Sequence, residues 1–158
     1  MIFQSGQEVE QLVPAGFVGT TASVLSGVDR VELTEFAHIL DAAGDCFLDL
    51  VYTPDERDFC AGRIERLASR FAAKEATTKA LGTGIRGLGL REIEIFSLPS
   101  GQPKIVLHHR AADRACVLGI TAISVSLTHT TVMAEAFVVA LADIHPSVQQ
   151  VKVENSFV

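Results

Sequence analysis

The stretch RIERLASRFAAKEATTKAL, Arg63 to Leu81, restricts the fold of this chain more than any other segment. Ile64, Leu67, Ala68 and Phe71 recur at i, i+3, i+4 and i+7, which places them on one stripe of an α-helix. Along that stripe the next residue is Glu75, and one turn beyond lie Thr78 and Lys79. A face that packs in its first half therefore carries a carboxylate and an ammonium in its second. A buried carboxylate is costly unless a cation, a metal or strong hydrogen bonds meet it. The spacing leaves two readings open: an i,i+4 Glu75–Lys79 pair where the stripe emerges into water, or a site that uses both groups. Gly82-Thr83-Gly84 then ends the helix, because glycine enters the left-handed region without steric cost.

The rest of the chain supplies strands and short helices for this helix to pack on. Val24 to Leu33 is β-branched and partly alternating, a strand closing at Glu32. Asp29 interrupts it two residues after Gly27, where the backbone can approach another group closely; a turn-side or capping aspartate would read the same way. A short helix over Thr34 to Ala43 stops at Gly44, and Thr53-Pro54-Asp55-Glu56 is a capping box that opens another helix. REIEIFSL and KIVLH flank Pro99-Ser100-Gly101-Gln102-Pro103 as a hairpin would. Arg110 to Leu118 reads as a helix, followed by two extended runs, AISVSLTH and VMAEAFVVALA, the second of which also suits a helix by its Ala and Met content. His129 closes the first run among hydroxyls in Ser126-Leu127-Thr128-His129-Thr130, either as a hydrogen-bonder or as a reactive group. Residues 1–21, with Pro14, Gly16 and Gly19, and the tail from Asp143, broken by Pro146, carry no clear pattern.

Composition narrows the class. A chain of 158 residues, 48% apolar and 20% charged, is long enough for a core and short for two, so one domain over 1–158 is expected, with its core at about 23–142. No apolar run reaches about 18 residues, and the N-terminus lacks a basic stretch followed by an apolar block. No membrane association and a cytoplasmic location are therefore expected. Cys46, Cys60 and Cys116 form no CxxC pair and read as reduced, buried small hydrophobes. A net charge of −6 argues against a nucleic-acid partner. Yet between Arg57 and Arg91 stand eight basic residues against Asp58, Glu65 and Glu75, which is either a solvated helix face or a site for a phosphorylated ligand.

Three ordered blocks together resemble the holo-acyl-carrier-protein synthase family of phosphopantetheinyl transferases. They are Gly27-Val28-Asp29, then Arg70-Phe71-Ala72-Ala73-Lys74-Glu75-Ala76 with Lys79-Ala80-Leu81-Gly82-Thr83-Gly84, and Ser126-Leu127-Thr128-His129-Thr130. The resemblance covers roughly Ser23 to Ala142. It implies an α+β fold, with a long central helix packed on a small antiparallel sheet, assembled as a homotrimer with active sites between subunits. It also implies transfer of the phosphopantetheine of coenzyme A to a serine of an apo acyl carrier protein, or of a carrier domain of a fatty acid synthase, releasing adenosine 3′,5′-bisphosphate. In that scheme Asp29 and Glu75 bind Mg2+, and Glu75, or failing it Asp29, accepts the serine proton. Arg70, Lys79, His129 and Thr130 meet coenzyme A, Gly82-Thr83-Gly84 shapes the adjoining pocket, and Arg63 and Lys74 are further candidates. Two departures stand out: the extensions at both ends, and the helix after Asp29, Thr34-Glu35-Phe36-Ala37-His38, which lacks the basic residues that meet an acidic carrier. Docking is therefore expected to use apolar contacts such as Phe36, the basic stretch Arg57 to Arg70, or a tethered carrier. The same residues would also serve a non-catalytic coenzyme A or nucleotide-binding subunit, or a magnesium-dependent pyrophosphatase with water as acceptor.

Overall fold

The computed structural model describes residues 22–84 and 87–143. Its elements run β1 (Ala22–Glu32), α1 (Leu33–Val51), α2 (Pro54–Cys60), α3 (Ile64–Ala80), a single 3-10 turn (Leu90–Glu92), β2 (Ile93–Ser97), β3 (Pro103–Leu107), α4 (His109–Val117), β4 (Ile120–His129) and β5 (Met133–Asp143). The fold is α+β: a three-stranded antiparallel sheet in the order β1-β5-β4, a separate β2-β3 hairpin, and α3 packed against both.

The predicted stripe on α3 is too narrow. Ala72, Ala73, Ala76, Thr77 and Ala80 are buried as well as Leu67 and Ala68, because β1, β5 and β4 lie on one side of the helix and β2, α1 and α2 on others. Small side chains let helix and sheet approach closely. Residues 134, 136, 138, 140 and 142 of β5 are Ala, Ala, Val, Ala and Ala, all buried, and alternate with outward-facing neighbours. On β1 the fit is tighter still: a Cβ on Gly27 would stand 1.9 Å from the Ala76 carbonyl oxygen, a backbone atom that cannot yield. Glycine is therefore required there, and it fixes Asp29 against the turn of α3 that carries Glu75.

A second cluster, Leu33, Phe36, Val51, Tyr52, Cys60 and Leu67, joins α1 and α2 to the other end of α3. Phe36 is 1% exposed, with its ring centroid 5.5 Å from that of Phe71. It belongs to the core, which corrects the expectation that it contacts a carrier. Exposure on α1 falls instead on Ile39 and Leu50 and on the acidic residues Glu35, Asp41, Asp45 and Asp49.

Between α2, α3 and the hairpin lies a buried ion pair. Lys74 Nζ donates to Glu56 Oε2 at 2.8 Å and to the carbonyls of Leu90 and Ile93 at 3.1 and 2.5 Å. Glu56 also accepts from the Thr53 and Ile95 amides, so the capping box opening α2 doubles as the core's anionic partner. The Lys74 side chain is 0% exposed, which removes it from the phosphate-binding candidates.

Most element boundaries follow the sequence reading; the extent of α1 and the burial of two cysteines are corrected. Gly44 breaks α1 (φ 52, ψ −135), but the chain resumes helix to Val51 because Phe47, Leu48 and Val51 pack on the second cluster. The run VMAEAFVVALA is strand β5, as its reading as an extended run expects, since its residues pair with both β1 and β4. Cys46 and Cys116 are exposed; only Cys60 is buried. Among the described residues no helix is long and apolar enough to cross a membrane. The N-terminal segment 1–21, Arg86 and the tail 144–158 lie outside the described residues.

Candidate active site

Asp29, Glu75 and Lys79 meet where β1 crosses the C-terminal half of α3. Side chains at odd positions of β1 turn toward the helix, so Asp29 faces it, and the Gly27–Ala76 contact sets the depth of approach. Lys79 Nζ donates to Asp29 Oδ1 at 2.7 Å and to the Val28 carbonyl at 2.9 Å. The i,i+4 reading of Glu75 with Lys79 thus gives way to a pair across elements, with Asp29 only 11% exposed and Lys79 51% exposed.

Glu75 is left facing a second carboxylate. Its acidity is weakened, the pKa pushed up to about 7, first by burial and then by the Asp29 charge, with which it shares a hydrogen bond; Lys79 pulls the other way. Two facing carboxylates with one ammonium beside them carry a net negative charge when both ionise, which favours a further cation. Among the described residues no cluster of three or more His, Cys, Asp or Glu side chains suits a metal. Two hard oxygen donors, with room for water and phosphate oxygens, match the way magnesium is held and do not match a closed protein cage. The residues fit that ion.

The turn after α3 adjoins this trio. Gly82 and Gly84 have φ +68 and +61, the left-handed geometry expected of the pair. Gly82 N–H bonds to Lys79 O at 3.0 Å, and Thr83 N–H to Thr78 O at 3.1 Å. Because α3 ends here, its dipole presents partial negative charge to the site. A phosphate at this end would therefore depend on nearby cationic groups for its attraction.

Arg70 and His129 are not brought to the trio within one chain. Arg70 lies five residues before Glu75, about 140° around the helix axis. Its guanidinium bonds to Ile95 O and Ser97 Oγ at 3.2 and 3.1 Å and stacks 4.2 Å from the Phe59 ring centroid, so it braces the hairpin. His129 is exposed at the end of β4; through Ala134 it shares a row with Val31, two strand spacings or about 10 Å away. Thr130 is exposed, its N–H on Met133 O at 2.8 Å. Arg63 is exposed at the N-cap of α3. Several other basic residues of the 57–91 stretch are bound internally: Arg57 pairs with Asp45 and Asp49, and Arg91 donates to Asp49 O.

Concave space is uneven. A groove of about 180 Å³ opens beside the trio, lined by Asp29, Glu32, Glu35, Ile39, Phe71 and Glu75 among others. That is below the usual range for a cofactor-sized ligand, about 300–1,000 Å³. A larger depression of about 860 Å³ lies elsewhere, at Thr53, Gly89, Glu94 and His108. Its rim carries Asp49, Asp55, Glu92 and Glu94 against Arg91 and two histidines, a poor environment for a polyanion.

Sequence reasoning missed the role of Glu56, whose capping-box signature concealed its pairing with Lys74, and missed Arg114, whose Nε donates to the Leu81 carbonyl at 3.0 Å from α4.

The model of the 4′-phosphopantetheinyl transferase superfamily matches residues 26–142, a span that includes Asp29, Glu75, Lys79 and His129. The holo-[acyl-carrier-protein] synthase of Chloroflexus aurantiacus is 44% identical over 132 residues, covering 73% of this chain and 96% of that protein. That of Koribacter versatilis is 42% identical over 118 residues, covering 72% and 94%. Among solved structures, the Helicobacter pylori holo-[acyl-carrier-protein] synthase in complex with coenzyme A superposes with a TM-score of 0.68 at 29% identity, covering 73% of this chain and 99% of that one. The Neisseria meningitidis enzyme gives 0.67 at 36% identity, covering 73% and 96%. The chain belongs to the 4′-phosphopantetheinyl transferase superfamily.

Proposed function

We propose that this protein is a magnesium-dependent holo-acyl-carrier-protein synthase, which moves phosphopantetheine from coenzyme A to a serine of an apo carrier protein. The observation that carries the reading is the Asp29–Glu75 carboxylate pair beside Lys79 and the Gly82–Gly84 turn, within a chain whose relatives bear that name. The carrier serine oxygen forms a bond to the pantetheine-side phosphorus, and the bond from that phosphorus to the bridging oxygen breaks. Adenosine 3′,5′-bisphosphate leaves with the bridging oxygen and the electron pair. The serine proton passes to Glu75, directly or through a water. Lys79 and the turn hold the donor phosphates, and Asp29 holds Lys79 and the cation in register. Magnesium, when bound by Asp29 and Glu75, supplies positive charge that offsets the pyrophosphate oxygens.

A homotrimer with sites shared between copies fits two features. The outer face of the sheet carries two apolar rows, Val24 opposite Leu141 and Val28 opposite Phe137, all four between 43% and 64% exposed, with Ser26 opposite Val139 between them. His129 and Arg63 are exposed and so accessible to a neighbouring copy's donor. His129→Ala should therefore raise the KM for coenzyme A about tenfold with kcat within about threefold, as loss of a phosphate contact would. Light scattering tests the trimer: a monomer at micromolar concentration would oppose it.

The assay for transfer weighs an apo carrier after incubation with coenzyme A and magnesium. A gain of one phosphopantetheine supports the reading; free 3′,5′-bisphosphate with an unchanged carrier would make the protein a hydrolase, and no reaction would make it a binding subunit. The carrier's own character is a second arm. With Glu35, Asp41, Asp45 and Asp49 exposed on α1 and Arg57 paired to two of them, long-range attraction to an acidic free carrier is weak. The second-order rate constant should change less than threefold between 50 and 300 mM salt, and a tenfold fall would contradict this. Apolar contacts through Ile39 and Leu50, or tethering within a multidomain synthase, would replace electrostatic steering.

A further inference from the structure

The last carbonyls of a helix have no partner within it, and a buried one needs a donor from elsewhere. At the end of α3 the fully buried Leu81 receives that donor from Arg114, whose Nε lies 3.0 Å from its carbonyl oxygen and 33 residues further along the chain. Ala111 and Ala115 of α4 are packed into the core, so the base of the Arg114 side chain is fixed. Its Nη2 lies 3.6 Å from where a Cβ on Gly82 would stand, so the guanidinium runs alongside the left-handed turn. Other hydrogen bonds of this segment come from its own neighbourhood: Leu81 N–H to Thr77 O, Gly82 N–H to Lys79 O, Thr83 N–H and hydroxyl to Thr78 O, and Gly87 N–H to Gly84 O. Among the described residues, Arg114 makes the one hydrogen bond that ties the turn to another element.

We propose that Arg114 is a positioning residue for transfer, holding the Gly82–Gly84 turn in the conformation that receives the donor phosphates. The inference rests on the reading that this turn meets coenzyme A. Two effects act together. The larger is the hydrogen bond, which fixes the carbonyl that precedes the turn; the guanidinium's charge at the negative end of the α3 dipole adds a weaker attraction, on the scale of the threefold change allowed to a neutral donor below. Because Arg114 acts through Leu81, its loss is felt in donor binding and little in the chemical step.

Two near-isosteric substitutions separate the anchor from a merely structural role. Arg114→Met keeps the apolar stem and loses the donor. Arg114→Gln retains an N–H on the atom bonded to Cδ, the same place as the arginine Nε. The KM for coenzyme A should rise about tenfold in Arg114→Met with kcat within about threefold, and should stay within about threefold of the wild type in Arg114→Gln. Hydrogen exchange of the Leu81–Gly84 amides should quicken in the Met variant and not in the Gln variant, which keeps the test open if the Met variant is poorly folded. Unchanged KM and exchange in Arg114→Met, or equal losses in both variants, would overturn the proposal. Gly82→Ala, strained at φ +68, is the parallel control: if it leaves the KM unchanged, the turn does not meet the donor, and it is the underlying reading that fails.

Discussion

Glu75→Gln should lower the rate of carrier loading by at least about 100-fold while leaving the protein folded, and Asp29→Asn should do the same. Each change removes a hard anionic oxygen from a two-carboxylate site, a loss on the scale of one strong transition-state electrostatic contact, about 3 kcal/mol. Stability should move in the opposite sense. The Glu75 carboxyl binds its proton more tightly in the folded chain than in the unfolded one, so the stability it contributes is present at low pH and is lost as pH rises through about 7. In a chelator, wild type should therefore melt lower at pH 8 than at pH 6, and Glu75→Gln, which cannot ionise, should lack that step. A Glu75→Gln enzyme with normal turnover at saturating magnesium would refute both the ligand and the proton-acceptor assignments.

The largest loss of stability should come from the buried pair behind the site. Lys74→Met leaves the Glu56 carboxylate in the core with the Thr53 and Ile95 amides but no cation, and breaking such a pair costs about 3–5 kcal/mol. The effect is structural: Lys74 points toward α2 and the hairpin, away from Asp29. Urea unfolding measures it, and the double variant Glu56→Gln/Lys74→Met should be less destabilised than the two single losses summed, because it removes the uncompensated charge. A cost below about 1 kcal/mol for Lys74→Met would mean that water reaches the pair.

These two predictions mark what was legible in the sequence. The site was readable because its parts are local or carried by strong motifs: Glu75 and Lys79 are one turn apart on a helix that the apolar stripe announces, and Gly82-Thr83-Gly84 ends that helix by backbone necessity. Asp29 was readable as an intrusion in a strand beside a glycine, and the 1.9 Å approach at Gly27 is the physical reason that glycine is there. The partner of Lys79 was not readable, since it depends on how β1 crosses α3, 50 residues apart in the chain. The same limit hid Lys74. Its place on a basic helix resembled that of Lys79, but packing of α2 and the hairpin over one side of α3 turned it into a core residue. Phe36, Cys46 and Cys116 were misread for a simpler reason: a helix presents every face within one turn, and composition does not say which face turns inward.

The account stands or falls on whether Asp29 and Glu75 together hold a divalent cation. The direct measurement is a calorimetric titration of Mg2+ into the protein with coenzyme A present, at pH 6, 7 and 8, for the wild type, Asp29→Asn and Glu75→Gln. One ion per chain is expected for the wild type, with about one proton displaced below pH 7 and an affinity that falls up to tenfold per pH unit there, since proton and cation compete for the same carboxylate. Both variants should bind at least tenfold more weakly, and Glu75→Gln should lose the pH dependence. Magnesium bound equally well by all three proteins, with no change between pH 6 and 8, would contradict the account.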